Sequence, residues 1–259
     1  MVGYLRNIWA CRYFWLSLVR LDLRMRYRGS VLGLGWSLLQ PIAMTIILCV
    51  VFHAIFHAEI THFAPYLLAG LTFWNFFIGV TMQGCQCFFA GESYIRQHPA
   101  PLAIYPLRTV LGVAFHYGLA MIVVLLTTWY FLGLPKILVL LSLAPALGIF
   151  LIMGWSLAVL AGLANLHFMD TQHLLDVGFQ ILFYLTPIMF PPEVLTDNHL
   201  GAVLRYNPLI YFLELIRAPL EGRVAPLQTF AMVGLIVLLL LGLATLCLYR
   251  YGKRVVFLL

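Results

Sequence analysis

The chain of 259 residues is 63% hydrophobic and 9% charged, with a mean hydropathy of +0.99. Soluble globular proteins are about 45–50% apolar and about 25% charged, so this composition excludes a soluble enzyme or binding domain and predicts an integral membrane protein. The net charge of +6 comes from arginines beside apolar segments, where anionic lipid head groups attract them, so nucleic acid is not an expected partner.

The first predicted element is an amphipathic helix over residues 13–29. One row of this helix is apolar, and the adjacent row carries arginines spaced by four residues. A helix of this kind lies in the membrane interface with its basic side toward the head groups. The apolar row is Leu16, Val19, Leu23 and Tyr27, and the basic row is Arg20, Arg24 and Arg28.

Six apolar tracts follow, each of a length that can cross the membrane. A helix needs about 20 residues to span a hydrocarbon core of about 30 Å. The tracts are almost free of charged residues, which cost about 2.5–3.5 kcal/mol each at the bilayer centre. The predicted fold is therefore all-α and integral to the membrane, with six transmembrane helices. The tracts cover residues 31–56, 64–90, 102–132, 137–166, 174–190 and 227–249.

Two connections between tracts are longer than turns. GESYIRQHPAPLAIYPLR, between the second and third tracts, predicts a short helix that ends at Pro99 and Pro101. The segment 191–226 predicts two short re-entrant helices, because its apolar spacing is helical but too brief to span. Within it, Glu214 and Arg217 lie three residues apart, so we expect them to form a local ion pair.

The distribution of basic residues predicts the orientation. Of the 15 Lys and Arg residues, eleven fall on the side that carries both termini and four on the other side. Because Lys and Arg concentrate in cytoplasmic loops, both termini are expected in the cytoplasm.

The sequence offers little catalytic chemistry. Its two lysines, Lys136 and Lys253, do not lie in the G-x-x-x-x-G-K-[ST] pattern of a P-loop, so ATP and magnesium would have to be bound by another subunit. The stretch HFMDTQHLLD repeats an H-x-x-D spacing that places each pair on one helix face. We expect these side chains to be solvated at the cytoplasmic mouth; a metal or proton-relay site is the alternative. The cluster is His167, Asp170, His173 and Asp176.

Aromatic residues are concentrated inside the tracts. Rings with polar tips offer a surface for sugars, which present both apolar faces and hydroxyl groups. Helix packing and interfacial belts are the alternative interpretation of each ring. The aromatics predicted to line a channel are Phe73, Trp74, Phe77, Phe183 and Tyr184.

Three stretches together resemble a known family. They are RLDLRMRYRGSVLGLGWSLLQP at 20–41, ANLHFMDTQHLLD at 164–176 with the FYLTPIMFPPEVL that follows it, and RYNPLIYFLELIRAPL at 205–220. In this order and spacing they resemble the permease subunits of type 2 ABC polysaccharide exporters, which include O-antigen, capsule and teichoic-acid exporters. The resemblance extends over residues 1–259 and implies a single transmembrane domain.

The resemblance implies a non-catalytic homodimer with two P-loop ATPase subunits on its cytoplasmic face, moving a lipid-linked polysaccharide across the bacterial inner membrane. It also implies three sets of functional residues. Arg20, Arg24 and Arg28 would lie where the anionic lipid-linked substrate enters. A coupling helix at 91–101 would use Glu92, Tyr94, Ile95, Arg96 and His98. Gate helices at 191–213 and the turn after them would use Tyr206, Asn207, Tyr211, Phe212, Glu214 and Arg217.

Two other functions stay open at this point. The same fold could export a small lipid or drug. Alternatively, the chain could be a membrane-embedded enzyme acting on lipid-linked sugars, with the His167 to Asp176 cluster as its site.

Overall fold

Helices form every regular element, and no strand occurs, in the part of the chain that the computed structural model describes: residues 2–30, 32–33, 35–57, 59–97, 100–133, 135–189 and 207–259. The all-α prediction is confirmed. The helices are α1 (Val2–Ala10), α2 (Arg12–Tyr27), α3 (Gly35–Phe56), α4 (Ile60–Cys85), α5 (Glu92–Gln97), α6 (Ile104–Leu132), α7 (Ile137–Leu141), α8 (Leu143–His167), α9 (Thr171–Leu185), α10 (Leu209–Leu220) and α11 (Leu227–Leu258), with a 3-10 turn at Phe89–Gly91 before α5.

Four described stretches are long and apolar enough to cross a membrane. They match the second, third, fourth and sixth predicted tracts. The first tract forms α3, whose apolar part, Leu38–Ala54, is shorter. The fifth forms α9, whose 15 residues extend about 22 Å. The four spans are Ile60–Cys85, Ile104–Leu132, Ile137–His167 and Leu227–Gly252.

Helix α4 lies at the centre of the bundle. It contacts α3, α6, α8, α9 and α10, and most of its side chains are buried. Its ring-bearing side chains pack against rings from other helices; Phe73, for example, has ring centroids 5.3 Å from Phe150 and 6.1 Å from Phe212. The core is therefore an aromatic layer organised around α4.

Glycines bring α4 and α8 into backbone contact near one end of the bundle. A Cβ atom on Gly84 would lie 2.6 Å from the Cα of Ala158, and one on Gly162 would lie 2.8 Å from the carbonyl oxygen of Gly84. Beside this crossing, Asn165 donates a hydrogen bond from Nδ2 to the Cys85 carbonyl oxygen at 3.0 Å. Only glycine permits this approach, because any side chain would force the two backbones apart.

The two ends of the chain meet at one end of the bundle, which we call the terminal end. Phe14 of α2 packs edge-on against Tyr94 of α5, with ring centroids 5.7 Å apart. Ile95 of α5 shares a buried cluster with Leu248 and Val255 of α11. The predicted short helix after the second tract is thus present as α5, and it is attached to both terminal segments.

We predict that Gly84→Ala destabilises the bundle, whereas Gly148→Ala does not. The added methyl at position 84 meets the backbone of Ala158, while a Cβ on Gly148 of α8 meets nothing within 4 Å. A misfit of this kind typically costs about 1–3 kcal/mol. The thermal unfolding midpoint of each detergent-purified variant measures the effect, and equal midpoints for the two variants would contradict the close crossing.

Candidate functional site

The basic helix α2 is fastened to the third tract by polar contacts. Asp22 accepts two hydrogen bonds from the Arg108 guanidinium of α6. One turn and a half further on, the Tyr27 hydroxyl hydrogen bonds with Nδ1 of His116 at 2.8 Å. Helix α2 therefore has a fixed side, which these contacts hold against α6.

The predicted arginine row lies on the free side of α2. Arg20, Arg24 and Arg28 are all exposed, whereas Val19 is buried, and Leu23 and Tyr27 are half-buried. Leu16, the first residue of the predicted apolar row, is 37% exposed. Helix α2, which ends at Tyr27, thus has one side packed against α6 and one exposed side that carries arginines, and the interfacial role of residues 13–29 stays a prediction.

Helix α5 has one buried side and one accessible side. Ile95 is buried in the terminal-end cluster, with Tyr94 packed against it. Glu92 accepts a hydrogen bond from Nε of Arg96 at 2.8 Å, and this ion pair is exposed to solvent. His98, the last residue predicted for the coupling helix, lies outside the described residues.

The end of α9 is held by Asn207. Its Nδ2 group donates to the Leu185 carbonyl and to Oγ1 of Thr186, both at 3.0 Å. Its Oδ1 atom accepts a hydrogen bond from the backbone N–H of Leu209 at 3.0 Å, at the start of α10. One buried amide therefore satisfies a carbonyl that the end of α9 leaves free and a donor that the start of α10 leaves free.

Arg217 of α10 continues this connection into the core. It is 5% exposed, and its Nη1 and Nη2 atoms donate to the carbonyl oxygens of Pro187 and Ile188 at 2.9 and 3.0 Å. Its guanidinium lies 3.5 Å from the ring centroid of Tyr66 of α4, close enough for a cation–π interaction. Nε has no hydrogen-bond partner among the described residues.

Gly70 makes room for this arginine. A Cβ atom at position 70 would lie 2.6 Å from Nη2 of Arg217 and 3.2 Å from Ile188. The Tyr66 hydroxyl, one turn earlier on α4, also donates to the Pro187 carbonyl at 3.3 Å. Tyr66, Gly70, Asn207 and Arg217 together form what we call the arginine clamp, which joins α4, α9 and α10.

The prediction of an ion pair between Glu214 and Arg217 is wrong. Glu214 instead pairs with Arg223, which also contacts Glu221 at 2.8 Å. Arg217 instead turns inward, where it donates to the backbone carbonyls of Pro187 and Ile188. The hydrogen bonds from Arg223 to Glu214 and Glu221 raise the pKa of the Arg223 guanidinium, although partial burial opposes them.

The other residues predicted for the gate differ in how deeply they are buried. Phe212 is buried in the aromatic core, and Tyr211 is half-buried beside it. Tyr206 and residues 191–206, including the first predicted gate helix, lie outside the described residues. The described part of 191–213 therefore consists of the clamp residue Asn207 and the first turn of α10.

The predicted channel aromatics divide into buried and exposed rings. Phe73, Trp74 and Phe77 are buried within this chain, and Phe183 packs on Trp74 with ring centroids 5.5 Å apart. Tyr184 differs, since it is 72% exposed. In the single chain the first four are packing residues, and their channel role stays a prediction.

The His and Asp cluster does not assemble a binding site. His167, Asp170, His173 and Asp176 are all exposed. The His167 ring hydrogen bonds through Nδ1 to the Leu163 carbonyl at 2.8 Å. Among the described residues, no group of three or more His, Cys, Asp or Glu side chains could hold a metal ion.

Sequence reasoning missed the clamp and the Asp22–Arg108 pair. Each contains a lone charge at the edge of an apolar tract, and such a charge signals that a partner lies elsewhere in the fold. The partners themselves are distant in the sequence, and for Arg217 they are backbone oxygens and a ring. No spacing rule would find them.

Four apolar spans, with a basic amphipathic helix fastened to them, define the chain as a multi-pass α-helical membrane protein. The sequence model of the ABC-2 type transporter family matches residues 13–220. The chain belongs to that family.

Curated relatives are of two named kinds. The O-antigen export system permease protein RfbA of Klebsiella pneumoniae is 26% identical over 189 residues, which cover 73% of this chain and 72% of the relative. RfbA of Myxococcus xanthus is 24% identical over 251 residues, or 92% and 93% of the two chains. The polysialic acid transport protein KpsM of Escherichia coli is 27% identical over 240 residues, or 88% and 89%.

We predict that Arg217→Met loosens the end of α9. The substitution keeps the length of the side chain but removes both Arg217 donors. The Pro187 carbonyl keeps the Tyr66 hydroxyl, whereas the Ile188 carbonyl loses its donor, at a cost of about 1–3 kcal/mol. Hydrogen exchange in peptides that cover residues 171–189 should become faster, and the unfolding midpoint should fall.

Arg223→Met is the matched control, because this arginine pairs with two glutamates on the same segment but its side chain is 49% exposed. Its loss should cost about 1 kcal/mol or less. The clamp assignment fails if the two variants have equal effects on exchange over residues 171–189.

We also predict that Asp22→Asn weakens the attachment of α2. A neutral amide cannot form the bidentate ion pair with Arg108, so the helix should separate from α6 more often. Cleavage by trypsin after Arg20, Arg24 and Arg28 measures this separation and should become faster. Asp170→Asn, at an exposed position with no ion pair among the described residues, should leave the rate unchanged.

Proposed function

We propose that this chain is the transmembrane subunit of an ATP-driven exporter that moves a lipid-linked polysaccharide, O-antigen or a similar cell-surface glycan, across the bacterial inner membrane. The observation that carries the proposal is the family match over residues 13–220, together with relatives whose names are those of polysaccharide permeases. Those relatives span nearly the same length as this chain.

Such a cargo needs a protein path. A polysaccharide carries many hydroxyl groups, and each one left without a hydrogen-bond partner in hydrocarbon costs several kcal/mol. The path would lie between two copies of this chain, as the resemblance implies. The large exposed apolar surface of α3 and α9, which includes Ile46, Ile47 and Ile181, leaves room for contact with lipid and with a second copy.

The proposed topology has six crossings, with both termini in the cytoplasm. The order of the helices supports it, because α3, α4, α6, α8, α9 and α11 would run alternately away from and toward the terminal end. The terminal end also carries the excess of arginines that favours the cytoplasm.

ATP hydrolysis would be supplied by two separate P-loop ATPase subunits, which would also bind the magnesium ion. Helix α5 is the proposed contact, since Arg96 and Gln97 are exposed on it while Ile95 is packed inside. Through the terminal-end cluster, a push on α5 would reach α8 and α11. Movement of the ATPase would in this way be transmitted to two spanning helices.

The anionic head of the cargo would be received by α2. Arg20 and Arg24 lie on one exposed side of α2, about 6 Å apart in helix rise, and Arg28 follows directly after the helix; all three are exposed and can pair with phosphate oxygens. Because the Asp22–Arg108 pair holds the opposite side of α2, the arginines keep a fixed position relative to α6.

Purification of the tagged chain from its own membrane in mild detergent tests the proposal. We expect a P-loop ATPase in stoichiometric amount with the unmodified chain. Gln97→Trp should lower its recovery at least about tenfold, equivalent to about 1.4 kcal/mol of binding, because the indole blocks the exposed side of α5. Surface glycan on intact cells should fall with it.

Gln228→Trp is the control, since Gln228 is exposed in the first turn of α11, at the opposite end of the bundle, where tryptophan suits a membrane interface. ATPase recovery unaffected by Gln97→Trp would overturn the role of α5 alone. An unmodified chain that purifies without any ATPase, even after crosslinking, would overturn the exporter function and favour the membrane-enzyme alternative.

A further inference from the structure

Polar residues recur along one row of α9 although this helix belongs to an apolar tract. Helix α9 places a polar side chain at every fourth position, so the four residues follow one another along the same side. All but the first are exposed in the single chain. We call them the polar row: Gln172, Asp176, Gln180 and Tyr184.

Contacts with α4 fix the direction of this row. Phe179 and Phe183 pack on Trp74, with ring centroids 6.2 and 5.5 Å apart, so the buried side of α9 faces α4. The row lies beside that buried side. At its start, Nε2 of Gln86 donates to Oε1 of Gln172 at 2.6 Å.

The adjoining edge of α4 is polar as well. Asn75 and Gln86 are separated by eleven residues, which is close to three helical turns, so they lie on the same side of α4. Both are exposed, although α4 is the most buried span of the bundle. Since Gln86 contacts the polar row, Asn75 and the row lie on the same side of the α4–α9 pair, and we call the surface between them the cleft.

Lipid is a poor occupant for this cleft. An amide without a hydrogen-bond partner in hydrocarbon costs about 2–7 kcal/mol, and a carboxylate costs more than an amide. The apolar residue Ile181, about 100° around α9 from Gln180, is 59% exposed and suits lipid or a second copy of the chain. The cleft instead needs an occupant that hydrogen bonds.

On the basis of the proposed function, we propose that the polar row with Asn75 and Gln86 binds the hydroxyl groups of the glycan as it passes. Successive members of the row are about 6 Å apart, and each amide both donates and accepts hydrogen bonds. The exposed ring of Tyr184 adds a face on which a sugar can stack. The path is then bordered by amides, the Asp176 carboxylate and one tyrosine, while Trp74 supports α9 from inside the chain.

Reaction of single cysteines with a membrane-impermeant maleimide tests the assignment in the full complex. Gln180→Cys is compared with Ile181→Cys, which is exposed at the same depth on a different side of α9. Asn75→Cys is a second probe on α4. Only the partly exposed Cys11 and Cys247 need replacement, because Cys49, Cys85 and Cys87 are buried.

We expect the thiols introduced by Gln180→Cys and Asn75→Cys to react at least about tenfold faster than the thiol introduced by Ile181→Cys, because thiolates form in water and not in lipid. Labelling is carried out in membranes from cells that assemble the glycan and from cells in which its first glycosyl transfer is blocked. The reaction at positions 180 and 75 should be slower where glycan is present, and the reaction at position 181 should not change.

Two results would overturn the proposal. Equal rates at positions 180 and 181 would mean that the polar row does not face water. Fast labelling at positions 180 and 75 that is not slowed by glycan would mean that the row faces water but does not contact the cargo. The exporter function is tested separately, by the recovery of the ATPase. Labelling in cells that cannot assemble the glycan does not depend on export, so the two proposals can fail independently.

Discussion

The backbone carbonyls at the end of α9 need hydrogen-bond donors where water is scarce, and Arg217 with Asn207 supplies them. Without these donors α9 would have to continue as a helix or carry unsatisfied oxygens in the interior. The clamp lets α9 stop at Leu185 and lets the chain turn back into α10. The aromatic core, in which Phe212 of α10 meets Phe73 of α4, depends on that turn.

The sequence predicted the positions of the helices well and the partners of their charges poorly. Apolar tract length is a local property, and the spans at 60–85, 104–132, 137–167 and 227–252 follow from it. The partner of a charged side chain, in contrast, is determined by the tertiary fold. Glu214 was the obvious partner of Arg217 by spacing, but it pairs with Arg223, because Arg217 faces inward, where Gly70 leaves space.

The two ends of the bundle have different proposed roles. At the terminal end, α2 and α5 present arginines and an accessible helix side. Helix α2 is anchored to α6 through Asp22, and α5 packs on α11 through Ile95. At the other end, the clamp fixes the turn between α9 and α10. Between these ends lies the cleft of the polar row, so a cargo received at α2 would pass a surface that can replace its lost water.

The glycine crossing of α4 with α8 has a mechanical consequence. Two helices whose backbones touch at Gly84 and Gly162 cannot slide past each other there without first parting, so we expect them to move together. Any transporter must alternate between shapes, and that alternation must therefore come from hinges outside this pair. Helix α9 is the candidate, since it packs on that pair through a few rings and is tethered at its far end by side chains from α10.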